Sequence, residues 1–146
     1  MKDVHVALGV IAIGLNVIAA LYGGWCYLRV NTGRGFWRVL RAAQLVVVIE
    51  AAFGGVLELT GHKTSSLHIL YGVLPLLVSI LAESLRASTA QMVLDSHGFE
   101  SNDEVGALPP DEQRGLVLTI VQREIGVMAL SAVVVVVLLA RAAATA

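Results

Sequence analysis

His5, Glu50, Glu58 and His68 stand in or at the edges of segments otherwise composed for lipid. Imidazole nitrogens ligate iron, copper and zinc, and a nearby carboxylate can hold an imidazole in one tautomer. His5 and His68 each open a hydrophobic segment, and the two segments run in the same direction, so both imidazoles are expected near one membrane face. Glu58 ends the antiparallel segment between them and reaches the same level, with His62 four residues further on. Two facing imidazoles in a helical bundle are what a bis-histidine haem requires, because iron takes one axial nitrogen from each face of the porphyrin. His5 and His68 are therefore candidate axial ligands of haem b, with Glu58 supporting them and Tyr71 on the same helical face as His68. A metal ion held without porphyrin by His5, His68 and His62 is an alternative. Histidines also lie at membrane interfaces with no ligand at all.

The elements that must position these groups follow from composition. With 57% hydrophobic and 14% charged residues, a chain of 146 residues carries more apolar surface than one soluble core of that size can hide. The excess lies in four segments, Val4 to Leu28, Val39 to Leu59, Leu67 to Leu85 and Gly115 to Ala140. Each has the roughly 20 residues needed to cross about 30 Å of hydrocarbon. The expected fold is all-α, a single integral-membrane four-helix bundle of up-down topology. Its helices are expected at about 4–28, 39–59, 67–94 and 110–140, with a loop over 95–109. The first segment is too long for the apolar region of a signal peptide, and Asp3 spoils a positive leader, so it reads as a retained span. Cys26, the single cysteine, permits no internal disulfide and reads as a small apolar packer.

Arg29, Arg34 and Arg38 occupy the first connection, Arg41 lies just beyond it, and Arg86 and Arg114 flank the third connection. The opposite face has only Lys2, Lys63 and Arg141. The positive-inside rule then makes the arginine face cytoplasmic and puts both termini outside the cytoplasm, in an inner or plasma membrane. Trp25, Tyr27, Phe36 and Trp37 gather at the cytoplasmic boundary as expected anchors. Ser88 to Leu94 can prolong the third helix until His97-Gly98 stops it. Beyond an acidic loop containing Glu100, Asp103 and Glu104, Pro109-Pro110 and the acidic Asp111 and Glu112 favour a new helix start. Nothing has the phosphate-binding glycines or the basic patch of a nucleotide or nucleic-acid domain.

The remaining buried polar residues call for partners. His5, Gly9, Ala12, Asn16, Ala19 and Gly23 recur every three or four residues and form one stripe, suited to close helix packing or to a flat cofactor. Glu50 is expected alone near mid-membrane, where a protonated carboxyl donating to Asn16, Ser79 or Ser131 is the simplest structural account and proton carriage the functional one. Glu83 is expected to meet Arg86, Arg123 or Gln122, with Glu124 a little deeper, as an ion-paired lock between the third and fourth helices.

The stretch from Glu50 through Phe53-Gly54-Gly55 to Glu58-Leu59-Thr60-Gly61, followed by Ser66-Leu67-His68-Ile69-Leu70, resembles one four-helix half of the haem A synthase family. The likeness covers about a quarter of the chain. It implies a haem-holding bundle with its histidines toward the outer side. Glutamate stands at position 50 where that family commonly has glutamine, the family's acidic-x-x-His-Arg motif is absent, and the second ligand would come from the first helix. Haem A synthesis itself is therefore not expected. The chain is also similar to small four-span membrane proteins of actinobacterial type, which implies a fold and no function. The leading expectation is a small haem-b protein of membrane redox chemistry, with no catalytic residue identified. The alternatives are a non-catalytic accessory or assembly subunit of a larger membrane complex or homo-oligomer, and proton or ion translocation through Glu50.

Overall fold

The computed structural model describes residues 2–99 and 102–146, so Glu100 lies outside the described residues. The chain is all-α, with α1 (Lys2–Leu28), α2 (Arg34–Leu59), α3 (Ser66–Ser96), the short α4 (Asn102–Gly106) and α5 (Pro110–Ala144). The four long helices are each long and apolar enough to cross a membrane, and they alternate in direction along the chain. They outrun the expected segments. α2 already begins at Arg34, which places Arg34 and Arg38 on the helix instead of in a connection, and α4 forms inside the expected loop. With 31 and 35 residues, α3 and α5 are roughly 46 and 52 Å long at about 1.5 Å per residue. That exceeds the roughly 30 Å of a hydrocarbon core, and both run on past the ends of α1 and α2 at the arginine-bearing end. There Val93, Leu94 and Leu116 make a separate apolar cluster with Phe99 and Val105.

Helix ends are set by local chemistry. The Ser65 hydroxyl accepts the His68 N–H at 3.2 Å and caps α3, which places His68 in its first turn. Pro110 opens α5, with Asp111 and Glu112 in its first turn as expected. α2 stops through a left-handed residue, Gly61, at φ 93°. The Gly61 and His62 N–H groups donate back to Glu58 and Leu57 carbonyls at 3.2 and 3.1 Å, satisfying two of the last acceptors of the helix. α3 ends the same way after His97, with Phe99 N–H on the Leu94 carbonyl. At the end of α1 the equivalent bonds run from Val30 and Asn31 to Tyr27 and Cys26, but the left-handed residue is Val30, at φ 50°.

The core is divided lengthwise. Near the arginine end, Phe36, Leu40, Ile125 and Met128 pack with Ala19 and Cys26, all essentially inaccessible. Phe36 is thus a core residue and not an interfacial anchor, because the α1 stripe offers Gly23 as the surface its ring covers. Ala12, Val47, Val135 and Leu139 continue the core toward the other end. α1 buries Ala12, Asn16, Ala19 and Gly23, so its small-residue stripe serves helix packing. α5 packs along both α1 and α3, and α1 along α2, whereas α2 and α3 touch least among the neighbouring pairs. α1 and α3 therefore face each other across the bundle, and the α2–α3 seam is its loosest joint.

A β-branched residue in the left-handed region is strained by about 1–2 kcal/mol, part of which glycine returns as chain entropy. Replacing Val30 with glycine is expected to raise stability by about 0.5–1 kcal/mol, read as a higher midpoint of thermal unfolding in detergent. An unchanged or lowered midpoint would contradict the strain at this position.

Candidate functional site

α1 and α2 pack in one register from end to end. Phe36 lies on Gly23, the Glu50 carboxylate lies beside Gly9, and the His5 ring lies over Gly54. A Cβ at Gly54 would stand 3.1 Å from His5 Cε1, so the bare backbone of α2 is what seats the imidazole. The same register carries Glu50 to His5. Its Oε1 is 3.6 Å from His5 Nδ1, in side chains only 10% and 16% exposed. That separation is too long for a hydrogen bond. Both His5 Nδ1 and Glu50 Oε2 are buried without a hydrogen-bond partner.

His68 is held differently. Its Nδ1 lies 2.9 Å from the Ala142 carbonyl oxygen. A carbonyl can only accept, so Nδ1 carries the proton and Nε2 keeps its lone pair. The Ser65 hydroxyl also donates to the Thr145 carbonyl at 2.7 Å, fixing the start of α3 against the end of α5. The His5 and His68 rings, from helices on opposite sides of the bundle, approach to 5.9 Å between centres with planes inclined by 72°. No hydrogen bond occupies Nε2 of either ring among the described residues.

Beside the two imidazoles a cavity of about 790 Å³ opens along the α2–α3 seam, lined by His5, Glu50, Gly54, Glu58, His68 and Gly72. The volume is within the roughly 300–1,000 Å³ of small-molecule and cofactor sites. Lys2, His62 and Lys63, all exposed, line its end at the helix termini.

The expected site residues separate accordingly. His5 and His68 come together. Glu58 lines the cavity, but its Oε2 accepts the Thr64 N–H at 3.3 Å, so it braces the α2–α3 turn and bonds neither imidazole. Tyr71 is not a cavity residue; its ring lies under the Arg141 guanidinium, 5.6 Å from the ring centre. The metal trio of His5, His68 and His62 is not assembled, and no group of three His, Cys, Asp or Glu side chains converges among the described residues. His62 sits one residue past the glycine that ends α2, which carries it out to the exposed turn.

Glu50 departs most from expectation. Asn16 donates to the Ala12 carbonyl, Ser79 to Pro75 and Ser131 to Met128, each within its own helix, and none meets Glu50. The expectation aligned segments by their ends. The actual register is fixed by Gly23 and Phe36 near the short first connection, and it sets the α1 start beside the interior of α2. Hydrophobicity alone carries no signal for that offset; the glycines at 9, 23 and 54, taken as contact points, do.

At the opposite end Glu83 meets Arg41 and accepts from Gln44 at 3.0 Å and from Arg86 at 2.9 Å. Arg86 reaches Glu124 at 3.7 Å and lies over the Trp37 ring. The expected α3–α5 lock is present through Arg86 and Glu124, but Glu83 turns mainly to α2 and Arg123 stays outside the cluster. Gln122 instead donates to the Tyr27 carbonyl at 2.9 Å and ties α5 to the end of α1.

No family model matches the chain, and no curated protein or solved structure does. The likeness to haem A synthase therefore rests only on the residues that carry it.

Proposed function

We propose that this is a small multi-pass protein of the inner or plasma membrane that binds haem b between His5 and His68 and serves membrane electron transfer, with both termini outside the cytoplasm. The observation that carries the reading is the close approach of the two imidazoles, edge to face, at the wall of one cavity. Two imidazoles ligating one metal from opposite sides through bonds of about 2.0–2.1 Å have ring centres about 6.3–6.5 Å apart. The His5 and His68 centres are 5.9 Å apart, so the rings part by about half an ångström to admit a shared metal. His68 Nδ1 is taken up by the Ala142 carbonyl, which leaves Nε2 as the free donor.

Donor count favours a porphyrin over a bare ion. Zinc and similar ions in protein sites take three or four protein donors, and no such group is present among the described residues. A tetrapyrrole brings its own equatorial nitrogens and asks the chain for two axial ones only. Gly72 removes a side chain from the cavity wall, which suits a flat ligand. Haem, when bound, supplies a one-electron iron centre. The chain's part would be to offer two imidazoles, to surround them with apolar helix faces, and to place Lys2 and Lys63 at the mouth of the cavity, where a carboxylate could be met.

Purified in detergent after expression with ample haem, the protein is expected to show a Soret band. Exchanging His5 or His68 for alanine should abolish it or convert it to a five-coordinate spectrum, and exchanging His62 or Tyr71 should leave it unchanged. A colourless wild-type protein overturns the reading. For orientation, a Cys26→Ser background with a single cysteine at Thr64 should react with a membrane-impermeant thiol reagent in intact cells, and one at Val105 should not. The reverse pattern overturns the assignment of sides.

A further inference from the structure

We propose that Glu50, and not Glu58, is the positioning residue of this site: its carboxylate accepts the Nδ1–H of His5 and thereby presents His5 Nε2 to the shared ligand. The inference rests on the bis-histidine reading, although its geometric basis is independent of any ligand.

His5 Nδ1 and Glu50 Oε2 are buried with no hydrogen-bond partner among the described residues, and Nδ1 lies nearest the other carboxylate oxygen, Oε1. A buried polar atom left unpaired is costly, and a bond from this imidazole to this carboxylate satisfies Nδ1 and gives the carboxylate a donor. The gap from Nδ1 to Oε1 is 3.6 Å, and a charge-assisted bond needs about 2.7–2.9 Å. A shift of less than an ångström closes it. His5 is in the first turn of α1, and Gly9, one turn further on, leaves the space beside the Glu50 carboxylate without a side chain: an added Cβ there would stand 3.9 Å from Oε1.

Competitors are few. Glu58 is engaged with the Thr64 backbone. Asn16, Ser79 and Ser131 bond within their own helices. His68 has its own anchor on Ala142. The two imidazoles are thus oriented by unlike acceptors, a neutral carbonyl for His68 and a carboxylate for His5. A carboxylate partner raises the basicity of the ligating nitrogen, so His5 is the stronger donor of the two.

The test compares haem-loaded wild type with Glu50→Gln, Glu50→Ala and Glu58→Gln. Glu50→Gln keeps an acceptor oxygen, so it should retain haem with a raised midpoint potential. Glu50→Ala should lose roughly 10- to 100-fold in haem affinity. Glu58→Gln should match wild type in both. Unchanged potential and affinity in both Glu50 variants would overturn the proposal while leaving haem binding intact. In the ligand-free protein, nitrogen-15 resonances of His5 should report the Nδ1-protonated tautomer, lost in Glu50→Ala. If wild type binds no haem, this second measurement decides alone: a His5 tautomer indifferent to Glu50 overturns the proposal.

Discussion

The histidine end of the bundle depends on the register in which α1 packs on α2. Gly23 under the Phe36 ring sets that register near the first connection, and Gly54 under the His5 ring reads it out near the other end. A Cβ at Gly23 would stand 2.6 Å from the Phe36 ring, so the contact admits no larger residue without displacement. Closely packed helices settle into discrete interlocked positions and do not slide continuously. From this one offset follow the seat of His5, the nearness of Glu50 and the approach of His5 to His68 across the bundle.

The two ends of the molecule are built for different purposes. The arginine end is bound together by polar contacts that involve all four long helices: Arg41, Gln44, Glu83, Arg86 and Glu124 link α2, α3 and α5, and Gln122 joins α5 to α1. Ion pairs this exposed contribute little singly, but as a network they fix helix positions. The histidine end has no comparable clamp between α2 and α3. Its ties run from α3 to α5 through Ser65 and His68, and the α2–α3 seam is left open over the cavity.

Much of this was legible in the residues. Four apolar segments of spanning length, the stop at His97-Gly98, the start at Pro110 and the stripe on α1 are all local properties, and local properties survive folding. The shared depth of His5 and His68 follows from segment direction alone; their approach to one another does not. What sequence could not supply was the offset between neighbouring helices. Segment ends alone set Glu50 apart from His5, leave Glu58 as the nearer carboxylate and put Tyr71 on the cavity side. Each of these depends on a few ångströms of axial shift or on tens of degrees of helix rotation, which a period of 3.6 residues does not specify. The left-handed conformation of Val30 was equally hidden, since nothing in a β-branched residue announces it.

If His5 and His68 share one ligand atom between their Nε2 nitrogens, electron paramagnetic resonance of the oxidised, haem-loaded protein will read it, because axial ligation sets the spin state of the iron. The expected result is a low-spin ferric signal of bis-imidazole type that turns high-spin when either histidine is replaced by alanine. A high-spin signal in the wild type, or a low-spin signal indifferent to loss of His5 or His68, would contradict it.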